Sequence, residues 1–308
     1  MILVGAEEIG RLGFAAAEAA LREPMIDLSE GRAIVPARCV VNLGGGDRLG
    51  LMPGAWGGVH GVKVLSLFPG NPAKGRSSHL GHLLLFDRET GETIAALEAD
   101  ALTALRTAAM TCLATRALAR PGPRHFAILG AGEQAAAHLA AFRARFEPEE
   151  IRIWARRPER AAALIAAAGP ERLVLAETLE RALAGADVVT ALTAARAPFL
   201  PGRLLQPGQH VNLVGASLAD QREIDDEGVA RARLFTDSRE SASREAGEII
   251  GARASGAILD DVALTEIGAV LSGAAPGRGG AGELTLYKSH GVIVQDLAVG
   301  LAVLRARG

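Results

Sequence analysis

Apolar residues follow two periods along this chain, and the changeovers mark its elements. Between residues 5 and 22, Ile9, Leu12, Ala16 and Ala20 share one face behind Glu7 and Glu8, which predicts an amphipathic helix with acids in its first turn. From Ala33 to Leu97 the grammar changes to strands and turns, with candidate strands at Val35, Val40–Leu43, Leu49–Met52, Gly61–Phe68 and His82–Phe86. Asp87-Arg88-Glu89-Thr90-Gly91 predicts a hairpin turn into a further strand at Thr93–Leu97. A helix follows over Leu102–Ala119 and is closed by Arg120-Pro121-Gly122-Pro123, the best linker in the chain. Short apolar strands at His125–Leu129, Ile151–Trp154, Val188–Leu192, His210–Val214 and Leu234–Thr236 then alternate with helical stretches, an order that predicts a parallel, doubly wound sheet. The stretch Ser289–Arg307 is helical with one apolar face and is expected to pack back on the first domain. The expected division is therefore 1–120 with 290–308 as one discontinuous α/β domain, and 121–289 as the other.

The stretch from Arg124 to Arg157 organises the rest. Gly130, Gly132 and Ala135 make a G-x-G-x-x-A turn between the strand ending at Leu129 and the helix Ala136–Phe146, the context that a dinucleotide fingerprint requires. Gly130 permits the tight turn, Gly132 lets the backbone approach a pyrophosphate, and Ala135 lets helix and strand pack closely. The pyrophosphate would lie at the helix N-terminus, where unpaired N–H groups and the dipole favour an anion. NAD-preferring sites place an acid at the end of the second strand for the ribose 2′-hydroxyl. Here the tip reads Ala155-Arg156-Arg157, with no acid before Glu159. Two guanidiniums suit a 2′-phosphate, so NADP(H) is the preferred cofactor and NAD(H) the possible one; the same pair would also serve as a solvated basic turn.

Composition narrows the picture. The chain has 308 residues, 49% hydrophobic and 22% charged, enough for a sizeable core in two domains. A net charge of −2 gives no reason to expect nucleic acid or an anionic membrane surface as partner. The N-terminus shows no basic region followed by an apolar run, and no stretch of about 18 uninterrupted apolar residues is present for a membrane span. The two cysteines, Cys39 and Cys112, have no metal-ligand spacing and fit a reducing compartment, so a cytoplasmic protein without a metal is expected.

Outside the glycine turn, three cations stand in telling places. Arg38 follows Val35-Pro36-Ala37, Lys63 lies inside the apolar strand Gly61–Leu65, and Arg106 lies in Thr103-Ala104-Leu105-Arg106-Thr107-Ala108-Ala109. Each alone can be a solvated charge, since a lysine in such a strand can alternate outward. Together they suggest an anionic substrate: two arginines can clamp a carboxylate, and a partly buried lysine with a depressed pKa can deliver a proton.

Those residues, in order, resemble the ornithine cyclodeaminase/mu-crystallin family. The resemblance is carried by Val35–Arg38, Gly61–Val64, Phe86–Gly91, Thr103–Ala109, Gly130–Gly132, Asn212–Ser217 with Arg222-Glu223, Pro276–Arg278, Lys288–Gly291 and Gln295–Leu297. It implies a Rossmann domain, an N-terminal α/β domain for substrate binding and dimerisation, a homodimer, and an active site in the cleft between the two domains. By position in those motifs, Arg38 and Arg106 are similar to the substrate-carboxylate arginines and Lys63 to the active-site lysine. His79 matches a histidine of mu-crystallin-like members, and is equally read as a strand-edge histidine. The implied cofactor set is Thr107, Gly130, Ala131, Gly132, Glu133, Gln134, Ala135, Arg156, Arg157, Thr193, Gly215, Lys288 and Ser289.

Ser217 departs from the cyclodeaminase pattern, which has an aspartate there to assist deamination and ring closure. A hydroxyl cannot act as that base, so Ser217 aligns the chain with the imine-reducing members. The expected activity is NAD(P)H-dependent reduction of a cyclic ketimine carboxylate, Δ1-pyrroline-2-carboxylate or Δ1-piperideine-2-carboxylate, to proline or pipecolate. Arg38 and Arg106 would hold the carboxylate, and Lys63 would keep the imine nitrogen protonated. Alternatives on the same scaffold are ornithine cyclodeaminase, alanine dehydrogenase and opine-type amino acid dehydrogenase. A different class is an NADPH-dependent small-ligand carrier, which the sparse aromatic content, 4%, does little to favour.

Overall fold

A computed structural model of the chain describes residues 1–307; the side chains of Pro72 and His79 lie outside the description. Two compact units are present. One combines Met1–Met110 with the tail from Gly291, and the other is Thr111–His290.

The first unit opens with β1 (Ile2–Val4), α1 (Ala6–Arg11) and α2 (Gly13–Ser29). An antiparallel run follows: β2 (Cys39–Gly44), β3 (Asp47–Trp56), β4 (Val59–Leu67), β5 (His79–Asp87) and β6 (Thr93–Glu98). The described strands form one sheet in the order β1-β6-β5-β4-β3-β2, with β1 parallel to β6. The turn between β5 and β6 forms as expected, because the Asp87 carboxylate accepts Glu89 N, Thr90 N and Thr90 Oγ1 at 3.0, 2.8 and 3.1 Å. Strand β1 was not expected; three residues are too few to show a period.

Helix α3 (Ala99–Leu118) leads into the second unit. There β7 (His125–Leu129), α4 (Glu133–Arg145), β8 (Glu150–Trp154), α5 (Pro158–Ala168), β9 (Leu173–Leu175), α6 (Leu179–Leu183) and β10 (Val188–Ala191) are followed by β11 (His210–Leu213), α7 (Asp226–Arg231) and β12 (Arg233–Thr236). The unit is completed by α8 (Arg239–Glu245), α9 (Gly247–Ala254), β13 (Leu264–Glu266), α10 (Ile267–Ser272) and β14 (Thr285–Lys288). All neighbours in the sheet β13-β12-β14-β11-β10-β7-β8-β9 are parallel, which is the doubly wound, Rossmann-like arrangement. The order reverses between β7 and β10. Strand β14 inserts between β11 and β12 although it comes last in sequence; Thr-Leu-Tyr-Lys is too short and polar to announce a central strand.

The terminal helix α11 spans Ile293–Arg305 rather than starting at Ser289, because Gly291 takes a left-handed φ of +67° and breaks the run. It packs on α2 and across β3 and β4 of the first sheet. Two strand glycines make that possible: a Cβ at Gly54 would lie 2.3 Å from Ile293 Cγ2, and one at Gly61 would lie 2.8 Å from Leu297 Cδ2. The interface joins Ile293, Leu297 and Val294 to a core with Leu83, Leu85, Leu97 and Met25, all buried. Each such side chain contributes roughly 1.5–3 kcal/mol on removal from water. Among the described residues no helix is long and apolar enough to cross a membrane.

The units divide within α3, at Met110/Thr111, ahead of the Pro121–Pro123 cluster that the sequence marked as linker. Buried hydrogen bonds explain the earlier division. Thr111 Oγ1 lies 3.0 Å from His138 Nε2 on α4, and Asn212 Nδ2 of β11 donates to Thr115 Oγ1 at 3.1 Å. His138 Nδ1 donates to the Gln134 carbonyl at 2.7 Å, and His210 lies between Thr285 Oγ1 (2.9 Å) and Asn212 Oδ1 (3.0 Å). Burial lowers the pKa of His138 to about 4 and of His210 to about 3.

Both histidines are therefore neutral in the fold while the unfolded chain takes up their protons below about 6.5. Their contribution to stability is complete above that pH and is lost as the pH falls towards about 3–4, at up to ~1.4 kcal/mol per unit for each. Urea denaturation at pH 7.5 and 5.5 should show this loss, and His210→Asn should flatten the pH slope whatever its absolute stability. An unchanged slope would remove His210 from the acid sensitivity.

Candidate functional site

In the first unit, strand alternation decides the direction of Lys63. On β4, Val59, Gly61, Lys63 and Leu65 share the inward face, beneath α11. Lys63 is 1% exposed, and its Nζ donates to both carboxylate oxygens of Asp296 on α11, at 2.8 and 2.9 Å, with Thr103 Oγ1 at 3.5 Å. Arg106, buried near the start of α3, donates from Nε to Asp296 Oδ1 (3.2 Å) and from its Nη1 to Gln295 Oε1 (3.0 Å). Arg38, half-buried ahead of β2, donates to the Gly291 carbonyl at 3.4 Å. The three expected cations thus meet one short stretch, Gly291–Asp296. Thr107 is buried one position after Arg106 on α3. His79 falls outside the described side chains.

Burial lowers the Lys63 pKa from 10.5 to about 8; Asp296 pulls it up, while Arg106 and Arg38 add to the lowering. For Asp296, burial alone would push the carboxyl up, but Arg106 and then Lys63 outweigh it and hold it below the usual carboxylate range. One carboxylate faces two cations, Lys63 and Arg106, so this group carries an excess of positive charge suited to an anion. Sequence reading assigned no role to Gln295 or Asp296. A polar pair inside Ile293–Ala298, an otherwise apolar helix stretch, was the available signal.

In the second unit, the glycine turn leaves β7 as the motif predicts. Gly130 has φ +132°, its N donates to Trp154 O at 2.8 Å, and a Cβ there would lie 2.7 Å from Leu192 O, beside the switch point. Gly132 occupies the N-cap of α4 without a side-chain cap, and a Cβ on it would meet nothing within 4 Å. The first intrahelical bond runs from Ala136 N to Gly132 O, so the N–H groups of Glu133, Gln134 and Ala135 precede the helical ladder. Ala135 is fully buried, letting α4 press on the sheet. This open, uncapped helix start, with Ala131 in the approach, fits a pyrophosphate. Arg156 and Arg157 are exposed at the tip of β8, and Trp154 stacks on Phe199 with ring centres 5.6 Å apart.

The other loops at the carboxyl ends of the strands are tied by Glu223, which is fully buried. Thr193 donates through N and Oγ1 to Glu223 Oε1 at 2.7 and 2.8 Å, and Gly215 N and Ala216 N donate to Oε2 at 2.9 and 3.2 Å. Burial pushes the Glu223 carboxyl up, opposed by Lys288 and reinforced by Glu248. The Lys288 ammonium is used inside the unit, donating to the Ala216 carbonyl and pairing with Glu248 at 3.2 Å. Ser289 Oγ and His290 N donate to Asp237 Oδ2 at 3.3 and 2.8 Å, and Tyr287 OH donates to Asp237 Oδ1. Ser217 N donates to Gln221 Oε1 at 3.2 Å. Thr193, Gly215, Lys288 and Ser289 are held at one edge of the sheet by Glu223, Glu248 and Asp237; the sequence marked Glu223 only as part of the family resemblance and gave none of the three a role.

A parallel sheet with a glycine turn at its switch point, in a chain that also carries a buried lysine–arginine cluster, defines the class as a dinucleotide-fold protein. Known proteins are consistent with that class. The chain belongs to the ornithine cyclodeaminase/mu-crystallin family, whose model matches residues 4–306. It is 36% identical over 249 residues to a Δ1-pyrroline-2-carboxylate reductase of Paracoccus denitrificans, covering 80% of this chain and 79% of the relative. It is 35% identical over 242 residues to the ketimine reductase mu-crystallin of Mus musculus, covering 79% and 74%. Among solved structures, a Δ1-pyrroline-2-carboxylate reductase of Thermococcus litoralis in complex with NADH and L-proline superposes with a TM-score of 0.93, at 29% identity, over 99% of this chain and 97% of that one.

Glu223→Gln preserves shape but turns an amide donor towards groups that are themselves donors. It should lower stability to urea by roughly 1–3 kcal/mol and weaken dinucleotide binding. An unchanged unfolding midpoint would mean that the carboxylate does not tie these loops.

Proposed function

We propose that this protein reduces a cyclic ketimine carboxylate, Δ1-pyrroline-2-carboxylate or Δ1-piperideine-2-carboxylate, with NAD(P)H, forming proline or pipecolate. The observation that carries this reading is the buried pair Lys63 and Arg106 on the carboxylate of Asp296, with half-buried Arg38 on the Gly291 carbonyl of the same stretch. Arg38 and Arg106 hold the substrate carboxylate, the geometry for which a guanidinium fork is suited. Lys63, with a pKa of about 8, is mostly charged at neutral pH and can place a proton on the imine nitrogen, which makes C2 electrophilic. The reduced nicotinamide, when bound, supplies the hydride that C2 accepts. Imine, proton and hydride together balance to the cyclic amine. Ser217 supplies no carboxylate for deamination, which favours reduction over cyclodeamination.

The glycine turn of α4 holds the pyrophosphate in this reading. Arg156 and Arg157, exposed and with no acid before Glu159, favour NADP(H) over NAD(H) through the 2′-phosphate. A homodimer belongs to the same reading. Strand β2 is exposed at every position and presents Val40, Val41 and Leu43 on a free sheet edge, which a second copy would cover.

Absorbance at 340 nm with NADPH and Δ1-pyrroline-2-carboxylate should fall, and L-ornithine with catalytic NAD should release no ammonia. Ammonia release without net cofactor change would replace the reductase by a cyclodeaminase. Lys63→Ala should cut turnover by about 100-fold or more while NADPH still quenches normally; near-normal turnover would remove Lys63 from the reaction. For the cofactor, Arg156→Ala should raise the KM for NADPH about tenfold or more with little effect on NADH. Equal effects on the two would count against a 2′-phosphate contact.

A further inference from the structure

The stretch Gly291–Asp296 meets every cation of the cluster. Its first residue accepts from Arg38 through the Gly291 carbonyl, Gln295 accepts from Arg106, and Asp296 accepts from both Arg106 and Lys63. The turn is shaped around the guanidinium: Gly291 has φ +67°, and a Cβ there would lie 2.4 Å from Arg106 Nη1. Asp296 is 0% exposed and uses both oxygens on the Lys63 ammonium.

We infer that Asp296 is the positioning residue of the substrate site, fixing the Lys63 ammonium against Arg106 and keeping that lysine charged for the imine. This rests on the reading of Lys63 as the proton donor. A buried ion pair kept for stability alone would be closed in charge, because breaking even is the best that such pairs usually do. This cluster is open: two cations, Lys63 and Arg106, meet one carboxylate, leaving an anion's worth of attraction for a ligand. The charged groups acting on Lys63 are Asp296 on α11, Arg106 on α3 and Arg38 ahead of β2. Its cross-strand neighbours, Met52 on β3 and Leu83 on β5, are apolar. Asp296 is thus the one group among them that holds the proton on Lys63, against burial and two guanidiniums.

Lys63 is one of only three lysines in the sequence, with Lys74 and Lys288, so its titration can be followed directly by NMR of ε-13C-lysine-labelled protein. In the wild type, Lys63 should titrate at about 8. In Asp296→Asn it should titrate lower by about one unit or more, and the alkaline limb of kcat/KM for the imine should move down with it. Activity lost at pH 8 should then partly return at pH 6. Asp296→Glu, which keeps the charge, should titrate closer to wild type and also serves if the Asn variant does not fold. NADPH fluorescence quenching, which reads the α4 turn, should be normal in both. An unmoved Lys63 titration in folded Asp296→Asn, or an activity loss that is uniform with pH, overturns the inference. Should the wild type reduce no imine at all, the proposed reaction fails while the titration still decides the role of Asp296.

Discussion

One buried carboxylate, Asp296, holds two cations in this protein, and the first unit is arranged to make that tolerable. Removing an ammonium from water is costly, and the 1% exposed Lys63 sits on a strand face otherwise lined by Val59, Gly61 and Leu65. Asp296, which α11 brings to within 2.8 Å, opposes the lowering of the Lys63 pKa by burial. That delivery depends in turn on Gly54 and Gly61, whose missing side chains let the helix lie close on the sheet, and on Gly291, whose left-handed turn admits the Arg106 guanidinium. Backbone, packing and electrostatics therefore converge on the same short stretch of the tail.

The second unit solves a different problem with the opposite charge balance. Two buried carboxylates, Glu223 and Glu248, share one lysine, Lys288. Their task is to accept from backbone N–H groups in loops that the parallel sheet leaves unpaired at its carboxyl edge, and so to hold Thr193, Gly215 and Ala216 together at fixed spacing. The α4 turn, by contrast, keeps its N–H groups uncapped. Donors are satisfied internally where the loops need rigidity and left open where a phosphate fits.

Much of this was legible in the sequence where the signal is local. The G-x-G-x-x-A turn, the Asp87 hairpin and the strands β7 and β8 all follow from periods and turn chemistry spanning a few residues. What stayed hidden depends on distant partners. Lys63 alone reads equally as a solvated strand lysine, and only the cover supplied by α11, 233 residues away, fixes it inward. Glu223 belongs to a block that carries the family resemblance, yet its role shows only in its bonds to Thr193, 30 residues earlier. Strand β14 was missed because its centrality is a property of the sheet order, not of Thr-Leu-Tyr-Lys. The tail helix begins later than its apolar pattern suggests because Gly291 takes a positive φ, which the local pattern does not announce.

The charge arithmetic bears on the order of events in the proposed reaction. Arg106 and a charged Lys63 against Asp296 leave one excess positive charge, which a substrate carboxylate cancels. An iminium formed while Lys63 stayed charged would restore the excess beside a buried ammonium, which Coulomb repulsion in a dry site opposes. The proton is therefore better shared between Lys63 and the imine nitrogen than present on both. Transfer as C2 accepts the hydride keeps the net charge constant, whereas protonation from solvent beforehand does not. A lysine titrating near 8 suits that exchange, being charged at rest and yet willing to release its proton close to neutral pH. Asp296 sets the balance from the other side: without it Lys63 would surrender its proton before the substrate arrived, and with a second carboxylate it would keep it.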